Sequence, residues 1–312
     1  MMKRLRVHLG TVIGTLLLLG AVFVIHRELK RYPPAEILTW IRAIPHSRLA
    51  LSFLSMAFCY FLLTFYDRIA FEFIQKPLGF ARLTFASFLA HAFGNNIGLA
   101  NLAGGAIRFR LYSHWGYTPA DIARVVAFQV SSTWVGFAWV TGLVFAIDPP
   151  LLPTILHLPF ETARPLGVIL LGLVVLFSYL CQTQRDPIRI RGLEIFLPHG
   201  RLFLEQLLIS GLDWALTGVV LYWLLPHPSG LTYANFLGIY LLSQMVGQIS
   251  HVPGGLGVFE GLMVLLLAQY LASSQILGAL VLFRLIYYLI PLGVAMLLLL
   301  GFELRTKRIN GP

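Results

Sequence analysis

Gly98–Tyr117 reads GLANLAGGAIRFRLYSHWGY, a glycine cluster followed at once by Arg108 and Arg110 in an otherwise apolar chain. A related break comes 150 positions later. Ser250–Leu262 reads SHVPGGLGVFEGL, with Glu260 standing where the first stretch has Arg110. The fold turns on why one chain carries two glycine-rich breaks with opposite charges at matching places.

The surroundings of these breaks are apolar. Of 312 residues, 58% are hydrophobic and only 12% charged, against roughly 25% charged in a soluble domain. Uninterrupted apolar runs of about 18 residues complete the signature of an all-α polytopic membrane protein. The formal net charge of +10 does not point to nucleic acid. Lys and Arg sit in short segments flanking apolar runs, the pattern of cytoplasmic loops and anionic lipid surfaces. Full spans are expected at 9–25, 49–66, 123–147, 165–181, 203–225 and 276–300. Met1–His8 is basic and precedes the first of these, but no small-x-small cleavage site follows Ile25. The segment therefore reads as a retained span, not a signal peptide. Cys59 and Cys181 lie in apolar stretches and read as buried free thiols.

Two further apolar stretches are interrupted. One covers 83–122 and holds Asn95, Asn96, Gly104 and Gly105; the other covers 232–272 and holds His251, Pro253, Gly254 and Gly255. The arm from Val258 to Leu271 is 14 residues, about 21 Å of helix against a hydrocarbon core of about 30 Å. Both stretches are therefore expected to be re-entrant helical hairpins, whose irregular backbone is tolerated only inside protein or beside a wet cavity. Gly104, Gly105, Pro253, Gly254, Gly255 and Gly257 are expected at the hairpin tips, where small residues let backbones approach. The run GGLGVFEG opens an arm and can turn freed N–H groups toward a phosphate. A nucleotide-type glycine loop is excluded, because no β-α unit surrounds it.

Sixteen of the 23 Lys and Arg fall in 1–8, 67–82, 106–124, 182–202 and 301–312, and six fall in 26–48, 148–164, 226–231 and 273–275. That bias places both termini in the cytoplasm. Segment 26–48 is discordant; its amphipathic look suits the outer interface. The chain then forms a single transmembrane domain, 1–312, of two halves, about 1–147 and about 165–300. Each half has three spanning helices and one re-entrant hairpin, and the two run in opposite senses. Such inverted repeats build sites at the membrane midplane from broken helices. Weak sequence matches support the pairing: Gly104-Gly105 with Gly254-Gly255, Arg110 with Glu260, Gln129 with Arg284, and Asp67 with Asp213.

Ionisable groups at membrane depth are costly and face the protein interior or a cavity. Arg108, Arg110, Glu260 and Arg284 are the candidates for binding an anionic headgroup, with guanidinium forks suited to phosphate. Arg110, Glu260 and Arg284 are expected to share one polar cavity. Two plainer readings stand beside this. Glu260 and Arg284 can form a buried ion pair that locks two helices, and Arg108 and Arg110 can snorkel to the cytoplasmic interface. Asn95, Asn96, Gln129, Asp213, His251 and Tyr287 are further candidates for polar lining. Tyr287, Tyr288, Trp134 and Trp139 read first as core or interfacial aromatics. His91 and His251 lack ligand spacing, so no metal and no cofactor are expected, and no nucleophile set suggests an enzyme.

The segments LAGGAIRFRLYSHWGYTPADIARVVAFQVSSTWVG, SHVPGGLGVFEGLMVLL and ILGALVLFRLIYYLIPLGVAML resemble the lysylphosphatidylglycerol synthase transmembrane region family, and its stand-alone inner-membrane type in particular. The likeness covers nearly the whole chain, and the Pro-Gly-Gly-Leu-Gly-Val-Phe-Glu run is its most specific motif. The resemblance implies passage of aminoacylated or other phospholipids between leaflets, with roles for Arg110, Glu260 and Arg284. It departs from the lipid-modifying synthases, which carry a large soluble catalytic domain after the membrane region; none is expected in a chain ending at Pro312. The expected function is thus a flippase-like phospholipid translocase. The alternative is a non-transporting scaffold for an envelope lipid enzyme. The expected partner is a membrane phospholipid, with a second copy or a lipid-synthesis enzyme left open.

Overall fold

A helix bonds its own amides and carbonyls, so it carries a backbone through lipid without unmade hydrogen bonds. Helices account for nearly all of the computed structural model, which describes residues 42, 44–96, 100–152, 161–184, 188–190, 193–195, 197–228, 230–250 and 257–309. In chain order these are α1 (His46–Phe73), α2 (Phe80–Asn96), α3 (Ala100–His114), α4 (Pro119–Ile147) and α5 (Arg164–Thr183). After the short strands β1 (Ile188–Ile190) and β2 (Leu193–Ile195) come α6 (Arg201–Tyr222), α7 (Tyr233–Ile249), α8 (Val258–Leu267) and α9 (Ser273–Phe283). A π-helical turn, Arg284–Leu289, then runs into α10 (Ile290–Ile309).

Five helical stretches are long and apolar enough to cross a membrane: α1, α4, α5, α6 and the continuous run Ser273–Thr306. They fall on five of the six expected spans. The sixth, 9–25, lies outside the described residues, as do Gly98, His251, Pro253, Gly254, Gly255 and most of 26–48. The body of the fold is helical as expected, and the loop between α5 and α6 carries a small antiparallel ribbon of β1 and β2 that pairs Ile188 with Ile195 and Ile190 with Leu193. Its sequence, IRIRGLEI, alternates apolar and charged residues around a glycine, the pattern of a hairpin and not of a helix.

Local signals set the helix ends. α1 stops in a Schellman motif: the Lys76 and Gln75 amides bond back to the Phe71 and Glu72 carbonyls, and Gln75 takes the left-handed position at φ 57°. α3 stops the same way, with Gly116 at φ 94° and the Tyr117 amide bonded to the Tyr112 carbonyl. α4 opens with a capping box: Thr118 Oγ1 accepts from the Asp121 amide, Asp121 accepts from the Thr118 amide, and Pro119 occupies the first turn. Lys76 adds an ion pair to Asp121 at 2.7 Å, which ties the end of α1 to the start of α4.

The long helices meet through small residues. α1 and α6 are antiparallel: Ser52 donates to the Val220 carbonyl, Arg48 to the Leu225 carbonyl, and Tyr66 to Asp213. α4 lies along α6 where Gly136 touches Ser210 and Gly211 touches the Trp139 ring. α5 crosses α4 at Gly142 and Gly167, and its outer face exposes Val168, Ile169, Leu173 and Leu176, as a lipid-facing helix does. α2 and α3 pack on each other, joined by residues 97–99. The order long, short, short, long thus occurs twice, as α1 to α4 and again from α6 through α7 and α8 to the run beginning at α9.

Gly104 and Gly105 are not at a tip. They lie in the second turn of α3, which runs Ala100–His114. The reason is packing. A Cβ on Gly104 would sit 2.9 Å from the Ala90 carbonyl oxygen, so this glycine brings α3 onto α2. Gly257 does mark a break: it immediately precedes α8 at φ 87°, a conformation that favours glycine.

Candidate functional site

The two short helix pairs end against the same turn of backbone. Asn96, the last residue of α2, donates from Nδ2 to the Tyr288 carbonyl at 3.1 Å. Glu260, in the first turn of α8, pairs with Arg284. Both partners belong to the π-helical turn Arg284–Leu289. Its wider i→i+5 bonding turns carbonyls toward neighbouring elements, a feature common at functional sites. Tyr60 of α1 donates to the Tyr287 carbonyl at 3.1 Å, so donors from two other helices hold this turn. Asn95 lies beside the Tyr60 hydroxyl. The guanidinium of Arg284 lies over the Tyr288 ring, 5.8 Å from its centroid.

Glu260 uses both of its oxygens. Oε2 accepts the Gly257 amide at 2.7 Å and so caps α8, while Oε1 accepts from Arg284 Nε. The residue is 7% exposed. A carboxylate here satisfies the amide left over at a helix start and the positive end of the helix dipole together. These are the donors that an external anion would use. Glu260 therefore occupies both the Gly257 amide at the start of α8 and the Arg284 guanidinium.

The other arginines go elsewhere. Arg108 of α3 is bidentate on Asp67 of α1, with Nε and Nη2 each at 3.2 Å, and contacts the His91 ring at 3.4 Å. Tyr112 donates to the same carboxylate at 2.5 Å. Arg110 is bidentate on Glu303 of α10, both bonds 2.9 Å, and lies over the Phe302 ring. The expected grouping of Arg110 with Glu260 and Arg284 is not made by direct bonds. Three buried ion pairs instead tie α3 to α1, α3 to α10, and α8 to the π turn. Each arginine sits beside the acid its own helix contact supplies, because a buried guanidinium without a counter-charge costs several kcal/mol. Asp67, His91, Tyr112 and Glu303 were not among the expected site residues. The signal was there in part: every buried arginine needs an acid, and few acids stand in apolar surroundings.

The remaining candidates separate. Tyr287 bonds through its hydroxyl to Thr217 at 3.1 Å and stacks on Phe283. Asp213 accepts from Tyr66 at 3.0 Å through one oxygen, and its other oxygen is buried without a hydrogen-bond partner. Among the described residues neither amide atom of buried Gln129 has a hydrogen-bond partner. Among the described residues no group of three or more His, Cys, Asp and Glu is placed to hold a metal, and both cysteines are free and buried.

Comparison with known proteins places this arrangement. Residues 9–295 match the family described as the lysylphosphatidylglycerol synthase TM region. An uncharacterised protein, slr0712, of Synechocystis is 39% identical over 296 residues, 95% of this chain and 92% of its own length. The inner membrane protein YbhN of Escherichia coli is 31% identical over 248 residues, 78% of this chain and 77% of its own length. Phosphatidylglycerol lysyltransferase of Staphylococcus xylosus is 25% identical over 318 residues; the match covers 98% of this chain but only 36% of that longer enzyme. With five helical stretches able to cross a membrane and a family match over nearly its whole length, the chain is a multi-pass membrane protein that belongs to the lysylphosphatidylglycerol synthase TM region family.

Proposed function

We propose that the protein is a flippase-like translocase that passes a phospholipid with an anionic or aminoacylated headgroup between leaflets. The observation that carries this reading is the convergence of both short helix pairs on the π turn bearing the Arg284–Glu260 pair. In this reading α2–α3 and α7–α8 are re-entrant hairpins of an inverted repeat, and both termini are cytoplasmic. The twofold order of long and short helices supports it, as does the likeness to part of a phosphatidylglycerol lysyltransferase.

Glu260 acts as a resident stand-in for the headgroup phosphate. An arriving phosphate competes for Arg284 and for the α8 amide, and the released carboxylate makes the exchange reversible. Holding these donors at one place spares the phosphate much of its desolvation cost inside the membrane. A wet path between the hairpins would serve the rest of the headgroup.

The test is translocation of a fluorescent phosphatidylglycerol in vesicles containing the purified protein. Arg284→Ala is expected to lower the rate at least tenfold, and Glu260→Gln to change both the rate and its dependence on headgroup charge. Melting in detergent reports folding of each variant. A folded Arg284→Ala protein that moves lipid at the wild-type rate overturns the reading.

A further inference from the structure

Among the described residues four carboxylates stand within the apolar helical body, and three of them have an arginine beside them. Asp67 holds Arg108, Glu303 holds Arg110, and Glu260 holds Arg284. Asp213 has none. It lies midway along α6, accepts one hydrogen bond from Tyr66, and buries its second oxygen without a partner. A carboxylate in such a place needs a counter-charge or a proton.

Titratable groups on several elements packed near α6 lie within electrostatic reach of Asp213. α1 presents Cys59, Tyr60 and Tyr66, α7 presents Tyr240, and the π turn presents Tyr287. The titratable side chains of α4, Asp121 and Arg124, lie in its first two turns, whereas Asp213 is level with Thr133 through the Trp214 bond to that carbonyl. α9 carries no titratable side chain. α5 meets α6 at Phe177 and Phe203, near the start of α6 and two turns or more from Asp213. Beyond Tyr66 the nearest charges are indirect: the His91 ring lies 6.2 Å from the Tyr66 ring, and Arg108 is spent on Asp67. No described cation reaches Asp213.

The unmade bonds are not scattered. Among the described residues six buried side-chain polar atoms lack a hydrogen-bond partner, on Thr64, Gln129, Thr141, Gln206 and Asp213. All of them are on α1, α4 and α6, three mutually packed candidate spans. Such atoms in a membrane interior are where water or a moving proton finds its bonds. A metal cation would need several oxygens around it, whereas a proton needs only the one free carboxylate oxygen.

We propose that Asp213 is an exchangeable proton site, and that its proton is the coupling ion of the translocase; the coupling part rests on the translocation reading above. The proton is taken from bulk water and returned to it, and the carboxyl alternates between neutral and charged. The link to the hairpins runs through adjacent residues of α1. Tyr66 holds Asp213 of α6, and Asp67 holds Arg108 of α3. A change of charge at Asp213 alters the Tyr66 bond and so bears on the segment of α1 that anchors the first short helix pair.

The first measurement is infrared absorption of the purified full-length protein in phosphatidylglycerol nanodiscs, titrated from about pH 5 to about pH 9. Wild type should show the carbonyl stretch of a protonated carboxylic acid that fades as pH rises, and Asp213→Asn should lack it. Tyr66→Phe, which keeps the carboxyl and removes its donor, should move the midpoint upward by about one pH unit. That variant also carries the test if Asp213→Asn does not fold. Absence of a titrating band, its persistence in Asp213→Asn, or its removal by sodium at constant pH overturns the proton site. The second measurement is lipid movement in vesicles under an imposed pH gradient. The gradient should change the wild-type rate several-fold, and in Asp213→Asn the ratio of rates with and without it should fall to about one. Lipid movement in wild type that ignores the gradient overturns the coupling and leaves the translocase reading standing. No lipid movement at all, with the infrared band titrating, overturns the translocase reading and the coupling that rests on it while supporting the proton site.

Discussion

Single residues in this protein are set by backbone conformation and by contact distance, and both yield measurable expectations. Gln75 holds the left-handed position of a Schellman motif at φ 57°. A side chain there costs free energy that glycine avoids, so Gln75→Gly should stabilise by about 1 kcal/mol. Denaturant titration in mixed micelles reads this directly, and a loss of stability would contradict the assignment. Glycines inside helices divide into two kinds. A Cβ on Gly211 would lie 2.8 Å from Trp139 Cδ1, so Gly211→Ala should destabilise by about 1–3 kcal/mol. Gly261 of α8 has open space at its Cβ, and Gly261→Ala should stabilise by about 0.5–1 kcal/mol. Equal responses from the two would show that helix contact at Gly211 is not what selects glycine. From sequence both read simply as small residues in helices. Only the distance to the neighbouring helix separates them.

Between elements the buried ion pairs are the fasteners. Asp67 is fully buried and carries Arg108 and Tyr112, so Asp67→Ala leaves a guanidinium without its counter-charge. The expected cost is about 3–5 kcal/mol, and much of it should return in the double variant Asp67→Ala with Arg108→Met. A double variant no more stable than the single one would mean that the pair does more than neutralise a buried charge. The short elements behave differently. Glu260 both caps α8 and holds Arg284, so its two bonds join the start of a ten-residue helix to the π turn. The motif PGGLGVFE announces a helix start with an acid in its first turn. The ion pair of that acid with Arg284 was one of two readings the sequence left open, and the structure makes that bond. The capping box at the start of α4 is fully local, made by Thr118 and Asp121 alone; Lys76, which adds an ion pair to Asp121, comes from the loop after α1.

Across the whole molecule the prediction is one of orientation. With both termini cytoplasmic, Gly79 in the loop before α2 faces the cytoplasm and Leu151 after α4 faces the opposite side. Cys59 and Cys181 are buried free thiols and are replaced first to give a silent background. A thiol reagent outside intact cells should then label Leu151→Cys at once and Gly79→Cys only after permeabilisation. The converse pattern would reverse the orientation. The basis is the charge bias of the loops, sixteen basic residues against six.

The sequence by itself determined the class of the protein and, within the described residues, five helical stretches long and apolar enough to cross a membrane with shorter apolar helices between them. It could do so because hydropathy and charge bias act along the chain, over windows of one helix, and lipid leaves few alternatives to helix. The tertiary structure alone decided the partners. The pairing of Arg284 with Glu260 was one of the readings open from the sequence, whereas Arg110, expected either at the interface or beside that pair, is held by Glu303 on α10. Gly104 and Gly105 read as a turn, yet they sit within α3, where Gly104 meets the Ala90 carbonyl. Asp213 read as one polar candidate among several, and among the described residues it is a buried acid of the helical body with no arginine beside it. Pairing between helices far apart in the chain depends on which faces meet and at what depth, and no local pattern records that. A buried charge reveals its role only once its neighbours are known, because the cost of burying it is settled entirely by what stands beside it.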